Sequence, residues 1–265
     1  MKWTERKFKM IACDVDGTLV PEGKNDLDLR FFEIFRLMQK KGILFSFVSG
    51  RQYSALTVLA PELIQEIIYI AANGSVVIEK DELIAEIPLT QPDPLQICQD
   101  ILQIEGANYF VSTTNNIYTS PRDPAIRDWL SDEPGVVFLD QLEDIKKIKD
   151  PIVKVSMQSN HNNGAEEYFS YFKEKFRHLC QVARSGFDWI DFTNSDKGKA
   201  LSKLSGLKNF TMKDVMAFGD NTNDQTMLKL AGFSAAMSNS DPEIQADADI
   251  VIDDPYQYIL DYLKN

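Results

Sequence analysis

The decapeptide IACDVDGTLV, residues 11–20, sets two aspartates one residue apart at the end of an apolar run and follows them with a glycine. The run Met10 to Cys13 shows no polar alternation, which reads as a strand buried on both faces, as in a parallel sheet. Period-two alternation places the side chains of Asp14 and Asp16 on one face, and a turn at Gly17 lets the second swing over the same loop. One ionised carboxylate can attack phosphorus; a second within reach can protonate a leaving oxygen and later deprotonate water. Two such carboxylates also need a cation between them. A calcium loop is the competing reading, but it needs further acidic ligands at two-residue steps and a distant glutamate, and Thr18, Val20 and Pro21 break that pattern.

Further along, the same grammar repeats. Ile43 to Val48 is an apolar run ending at Ser49, Val215 to Phe218 ends at Gly219 and Asp220, and IIYIAANG, residues 67–74, ends in Asn73 and Gly74. A helix is predicted over Leu29 to Lys40, with Phe31, Ile34, Phe35 and Met38 on one face and Gly42 closing it. The tail from Phe233 reads as a strand, a short helix from Pro242 and a last strand at Ile250 to Ile252. Strand, helix, strand implies an α/β fold with a Rossmann-like, doubly wound parallel sheet, whose ligands sit beyond the carboxyl ends of the strands. Every polar cluster falls at such an end.

Between about residues 84 and 190 the pattern changes. NYFVSTTNNIYTS, residues 108–120, turns at Asn115 and Asn116 like a hairpin, and IVKVSMQ, residues 152–158, and QVARSGFDWIDFT, residues 181–193, alternate more than the parallel strands do. Pro94 to Glu105 and Gly164 to Arg177 look helical. The expectation is a core formed by residues 1–83 and 190–265, interrupted by an inserted α+β domain over 84–189 with a half-exposed antiparallel sheet.

The 265 residues, 44% hydrophobic and 26% charged, have the composition of an ordinary globular protein. A formal charge of −12 excludes a general nucleic-acid binder, so any anionic ligand must be met locally. The basic N-terminus MKWTERKFKMIAC loses its apolar run at Asp14, far short of a signal-peptide core, and no stretch reaches the about 18 uncharged residues that span a bilayer. Cys13, Cys98 and Cys180 are scattered and odd in number, which fits reduced thiols; a cytoplasmic location without membrane contact is expected. His161 and His178 lack metal-ligand spacing, and Trp3, Trp129 and Trp189 read as packing residues, the last two with a substrate pocket as the alternative. Oligomeric state leaves no trace in the sequence.

Four stretches, DVDGTL at 14–19, FVSGR at 47–51, the Lys197–Gly198 pair and FGDNTND at 218–224, resemble in this order the motifs of the haloacid dehalogenase superfamily of phosphatases. ANG at 72–74, the inserted segment and AAMSNSDPEIQADAD at 235–249 resemble more narrowly its Cof-type branch, related to sugar-phosphate phosphatases. The resemblance implies Asp14 as nucleophile and Asp16 as general acid and base, where ion-pumping relatives carry threonine. It implies phosphate binding by the Ser49 hydroxyl, the Gly50 amide, Lys197 and Asn223. Mg2+ would be held by Asp14, the backbone carbonyl of Asp16, Asp220 and, directly or in the outer shell, Asp224. Ser49 stands where the family more often has threonine; Arg51 could face substrate or a structural carboxylate.

Each assignment has a physical side. Lys197 opens a helix with Ser195 or Asp196 as possible N-cap, where an ammonium opposes the macrodipole and gains nothing for stability alone, whereas Lys199 reads as solvated. Hard oxygen ligands suit Mg2+. The expected reaction is Mg2+-dependent hydrolysis of small phosphorylated metabolites, sugar phosphates foremost, through an aspartyl-phosphate. A hexose-phosphate phosphotransferase or mutase and a non-catalytic phosphometabolite-binding regulator are the alternatives. DDPYQYI, at 253–259, replaces the Gly-Val the family often shows, so the final turn is expected to pack differently.

Overall fold

In the computed structural model, residues 6–21, 24, 26–131, 135–159, 166–185 and 188–264 are described. Trp3, His161 and the expected helix start at Gly164 lie outside them. The chain first lays down β1 (Met10–Cys13), β2 (Leu44–Val48), β3 (Ile68–Ala71), β4 (Val76–Glu79) and β5 (Glu82–Glu86). It leaves for a second sheet, β6 (Ala107–Ser112), β7 (Ile117–Thr119), β8 (Val136–Phe138), β9 (Lys154–Ser159), β10 (Gln181–Arg184) and β11 (Trp189–Thr193). It then returns to the first with β12 (Val215–Gly219), β13 (Phe233–Met237) and β14 (Ile250–Ile252). The first sheet has eight strands in the order β14-β13-β12-β1-β2-β3-β4-β5, and the second has six, β10-β11-β9-β6-β7-β8.

From β14 to β3 the neighbours are parallel, and β4 and β5 are added antiparallel at one edge. The helices are α1 (Arg30–Lys40), α2 (Tyr53–Thr57), α3 (Pro94–Ile101), α4 (Pro124–Leu130), α5 (Glu166–Phe176), α6 (Lys197–Leu207), α7 (Gln225–Leu230), α8 (Pro242–Ala246) and α9 (Pro255–Lys264). On one face of the eight-stranded sheet, Phe31, Ile34, Phe35 and Met38 of α1 share a core with Tyr256, Ile259 and Leu263 of α9. On the other, Leu201 and Leu204 of α6 pack with Met227 and Leu228 of α7. A parallel sheet covered on both faces accounts for its unbroken apolar strands.

Some elements differ from the sequence reading. The tail DDPYQYI is no final turn: Pro255 starts the ten-residue α9, whose Tyr256, Ile259, Leu260 and Leu263 recur at helical spacing. β4 and β5 form a hairpin through Lys80 and Asp81, both at positive φ (53° and 64°), a turn geometry that neither residue signals as glycine or asparagine would. α4 is capped by the Asp123 side chain, which accepts from the Ala125 amide at 2.8 Å.

The six-stranded sheet alternates strictly. Tyr109, Val111, Val155, Met157, Ile190 and Phe192 point to a core shared with α3 and α5. Their neighbours Phe110, Ser112, Lys154, Ser156, Trp189 and Asp191 line a cleft against the eight-stranded sheet. The expectation of a half-exposed sheet is therefore corrected for β6 and β9, which are buried on both faces because the eight-stranded sheet and its loops cover the polar side. Among the described residues, no helix is long and apolar enough to cross a membrane.

Candidate active site

From the centre of the eight-stranded sheet the chain runs β1, β2, β3 to one side and β12, β13, β14 to the other, so the order reverses between β1 and β12. There the loops diverge and open a crevice. The register Cys13 to Phe218, continued by the Asp14 amide donating to the Phe218 carbonyl at 2.9 Å, sets Asp14 and Asp220 beyond adjacent strand ends. Gly17, at φ +83°, crosses directly over Asp220: a Cβ there would stand 2.3 Å from Oδ2. Only glycine admits this approach. The Thr18 hydroxyl donates to Asp220 Oδ1 at 2.8 Å.

Lys197, first residue of α6, reaches into the crevice with its side chain 1% exposed. Its Nζ donates to Asp14 Oδ1 and to Asp224 Oδ1, each at 2.6 Å. The other oxygen of Asp224 accepts from the amides of Asp220 (2.9 Å) and Asn221 (3.0 Å), so this buried carboxylate ties the loop after β12 to the lysine. Asp196 is the N-cap of α6, accepting from the Lys199 amide at 2.8 Å, and Lys199 is exposed as expected.

Carboxylate oxygens of Asp14, Asp220 and Asp224 all lie within 4.8 Å of one another. Burial pushes the Asp14 carboxyl well above its ordinary range, the charges of Asp224 and Asp220 add to this, and Lys197 opposes it. Asp220 is pushed up to about 6 by burial and by Asp224. Burial alone would lower the Lys197 ammonium, but Asp14 and Asp224 outweigh it and raise it. Three carboxylates against one ammonium leave a formal charge of −2. Hard oxygens in that number, under-neutralised by that amount, fit a divalent cation such as Mg2+.

Asp16 lies outside this cluster. Its carboxylate takes Arg51 Nη2 at 2.6 Å and Nε at 2.9 Å, which settles the orientation of Arg51: it faces Asp16 and not the cluster. The loop carrying Ser49, Gly50 and Arg51 is sewn to the next one, because the Asn73 amide donates to the Ser49 carbonyl (3.0 Å) and the Ala72 amide to the Arg51 carbonyl (2.9 Å). The Arg51 amide in turn donates to Ser49 Oγ at 3.1 Å. Asn223 gives its amide to Asn73 Oδ1 at 3.0 Å.

Sequence reasoning did not assign Asn73, which is 3% exposed and held in the left-handed region at φ 54° and ψ 37°. The available signal was an asparagine before a glycine at a strand end, a pair that tolerates positive φ. Trp129 and Trp189, for which packing and a substrate pocket were the two readings, line the same cleft as Asp16 and Arg51, and Trp189 stacks tilted on Phe110 with ring centroids 4.9 Å apart. The cleft encloses about 1450 Å³. Cys13, beside Asp14, is buried and its thiol is pushed up by burial, the state of an inert core residue.

A buried lysine paired with a carboxylate at a sheet switch point, under a second sheet, is a ligand crevice of the α/β class built to meet an anionic group. The chain belongs to the haloacid dehalogenase-like hydrolase family, which matches it over residues 11–257. It is 28% identical over 255 residues to the 5-amino-6-(5-phospho-D-ribitylamino)uracil phosphatase YcsE of Bacillus subtilis (strain 168), covering 93% of this chain and 90% of that one. It is 26% identical over 262 residues to the pyridoxal phosphate phosphatase YbhA of Escherichia coli (strain K12), covering 93% of each. A solved structure from Streptococcus mutans UA159 superposes with a TM-score of 0.86 at 26% identity, covering 98% of this chain and all of that one.

Proposed function

We propose that this phosphatase hydrolyses small phosphomonoesters with Mg2+ through an aspartyl-phosphate on Asp14. The observation that carries the reading is the Lys197 ammonium placed 2.6 Å from Asp14 Oδ1, which holds a buried carboxylate as an anion at the mouth of a cleft. Asp14, Asp220 and the Asp16 carbonyl would hold the cation, while Asp224, with both oxygens committed, anchors Lys197 and its own loop. Bound there, the cation supplies charge neutralisation to the phosphoryl oxygens.

Asp14 attacks phosphorus, and its new O–P bond forms as the bond to the leaving oxygen breaks. Asp16, once it lets go of Arg51 and takes up a proton, gives that proton to the leaving oxygen and then takes one from the water that attacks the acyl phosphate. Inorganic phosphate leaves and Asp14 is regenerated. The Ser49 hydroxyl, the Gly50 and Asn223 amides and Lys197 bind the transferring oxygens. The six-stranded insert acts as a cap that meets the leaving group and excludes bulk water. The free cysteines Cys13, Cys98 and Cys180 support a reducing, cytoplasmic setting.

Two substrate readings stand. Sugar phosphates follow from the resemblance to the Cof-type branch. Phe110, Trp129 and Trp189 on the cap side of the cleft favour a leaving group with a flat ring, as in the names of the two relatives. The test is turnover of pyridoxal 5′-phosphate, ribose 5-phosphate and glucose 6-phosphate with Mg2+ and with EDTA. Activity that survives EDTA removes the metal from the scheme. Labelled phosphate that passes to a second sugar, with none released as inorganic phosphate, replaces the hydrolase by a phosphotransferase.

A further inference from the structure

Lys154 and Asp191 form an ion pair at 3.2 Å on the cleft-facing side of the six-stranded sheet, their side chains 11% and 1% exposed. A buried pair of this kind is seldom worth more to stability than apolar residues of the same volume. Its geometry shows where it is used instead. Lys154 Nζ crosses to the other sheet and donates to the Gly50 carbonyl at 2.9 Å. Asp191 accepts from Asn73 Nδ2 of the other sheet at 2.6 Å, and its remaining capacity is filled by the hydroxyls of Ser156 and Ser185, each at 2.6 Å.

Both arms end on the loops that carry the phosphate donors. The Gly50 carbonyl belongs to the same peptide unit as the Arg51 amide. Fixing the oxygen therefore fixes the N–H that donates to Ser49 Oγ at 3.1 Å. That bond occupies a lone pair of the hydroxyl and leaves its proton for a phosphoryl oxygen. The same peptide sets the direction of Arg51, whose guanidinium holds Asp16. On the second arm, the Asn73 amide is clamped between Asp191 and Asn223, which leaves the other Asn223 N–H for phosphate.

From this, resting on the phosphatase reading above, we infer that Lys154 and Asp191 are positioning residues: a cap-borne ion pair that holds both phosphate loops in binding geometry through Gly50 and Asn73. The phosphate site is complete only with the insert seated on it. Neither residue touches the reacting atoms.

The probe is inorganic phosphate, titrated calorimetrically into the full-length protein with Mg2+. Lys154→Met weakens phosphate binding about tenfold, the effect of losing one charge-assisted hydrogen bond that orders a donor, and lowers the melting temperature by leaving Asp191 buried without its cation. The double variant Lys154→Met/Asp191→Asn, which removes both charges, regains most of that melting temperature yet keeps the weakened phosphate binding. If phosphate binds the double variant as it binds the wild type, the pair is a stability element alone and the inference is overturned. Should Lys154→Met not fold, the double variant decides by itself. A wild-type protein that binds phosphate but turns over no phosphomonoester removes the phosphatase scheme and leaves this inference to stand on the binding data.

Discussion

Lys197 and Lys154 are both buried against aspartates, the first at the strand ends of the eight-stranded sheet, the second on the face of the six-stranded one. Around Lys197 the charges do not balance. Asp14, Asp220 and Asp224 crowd one ammonium, and burial holds the Asp14 and Asp220 carboxyls above their ordinary range. Around Asp191 they do: one ammonium, two hydroxyls and one amide satisfy a single carboxylate. On the proposed function, imbalance marks the place for a cation and a phosphoryl group, and balance marks a joint. The difference follows from where each fold can put polar groups, since parallel strands covered on both faces expose them only at their ends, whereas an alternating sheet has a whole polar face to offer.

The comparison breaks most decisively at Asp14. Asp14→Asn removes the proposed nucleophile and is expected to lower kcat about ten-thousandfold or more. It also relieves the crowding, so in EDTA at pH 7.5 the variant melts higher than the wild type. Lys197→Met comes next, with kcat down about a thousandfold for lack of charge against the phosphoryl oxygens. Here stability moves the other way, because the buried carboxylates of Asp14 and Asp224, with the half-buried Asp220 beside them, lose their one ammonium. Calorimetric melting of both variants checks the signs, and a fall in both would mean that the core cluster is as balanced as the cap pair.

A smaller effect reads the imbalance directly. Asp220 titrates at about 6 in the folded protein, above the about 3.9 of an unfolded aspartate. Between these values the folded state binds the extra proton. The stability from Asp220 is therefore fully present below about pH 4 and is lost as pH rises through about 6. In EDTA the melting temperature should fall between pH 5 and pH 7.5 on this account. Mg2+ at the higher pH should restore it, and Asp220→Asn should flatten the profile. A wild-type profile that Mg2+ leaves unchanged would count against cation binding at this cluster.

Asp14, Ser49 and Asp220 could be singled out because they stand at the ends of apolar runs, and such runs are recognisable one at a time. Lys197 and Asn223 were expected from the resemblance to the family motifs, and the fold brings Lys197 to Asp14 and Asn223 to Asn73. The joint was not legible, although IVKVSMQ and DWIDFT showed the alternation that puts Lys154 and Asp191 on a polar face. Its partners sit far off in sequence: Asn73 to Asp191 spans 118 positions and Lys154 to Gly50 spans 104. No local pattern reports which polar face will meet which loop. The β4–β5 hairpin escaped because Lys80 and Asp81 take positive φ without glycine or asparagine to announce it. α9 escaped because its first turn lies inside the DDPYQYI stretch, which the resemblance gives as a turn, and its helical spacing becomes plain only through Leu260 and Leu263.

The smallest expected effect lies on the cap wall. Trp189 stacks on Phe110 and lines the cleft, while the alternating register places it two residues from Asp191 on the same face. Trp189→Leu keeps apolar bulk but removes the flat surface, and one aromatic contact is worth about 0.5–1.5 kcal/mol. KM for pyridoxal 5′-phosphate should therefore rise about two- to twelvefold with kcat nearly constant, since a contact to the leaving group is made equally in the ground state and the transition state. Ribose 5-phosphate, which has no aromatic ring to stack, should show no change. Equal losses for both substrates would mean that Trp189 supports the Asp191 joint rather than the leaving group, and the division between a wall that selects and a pair that positions would no longer hold.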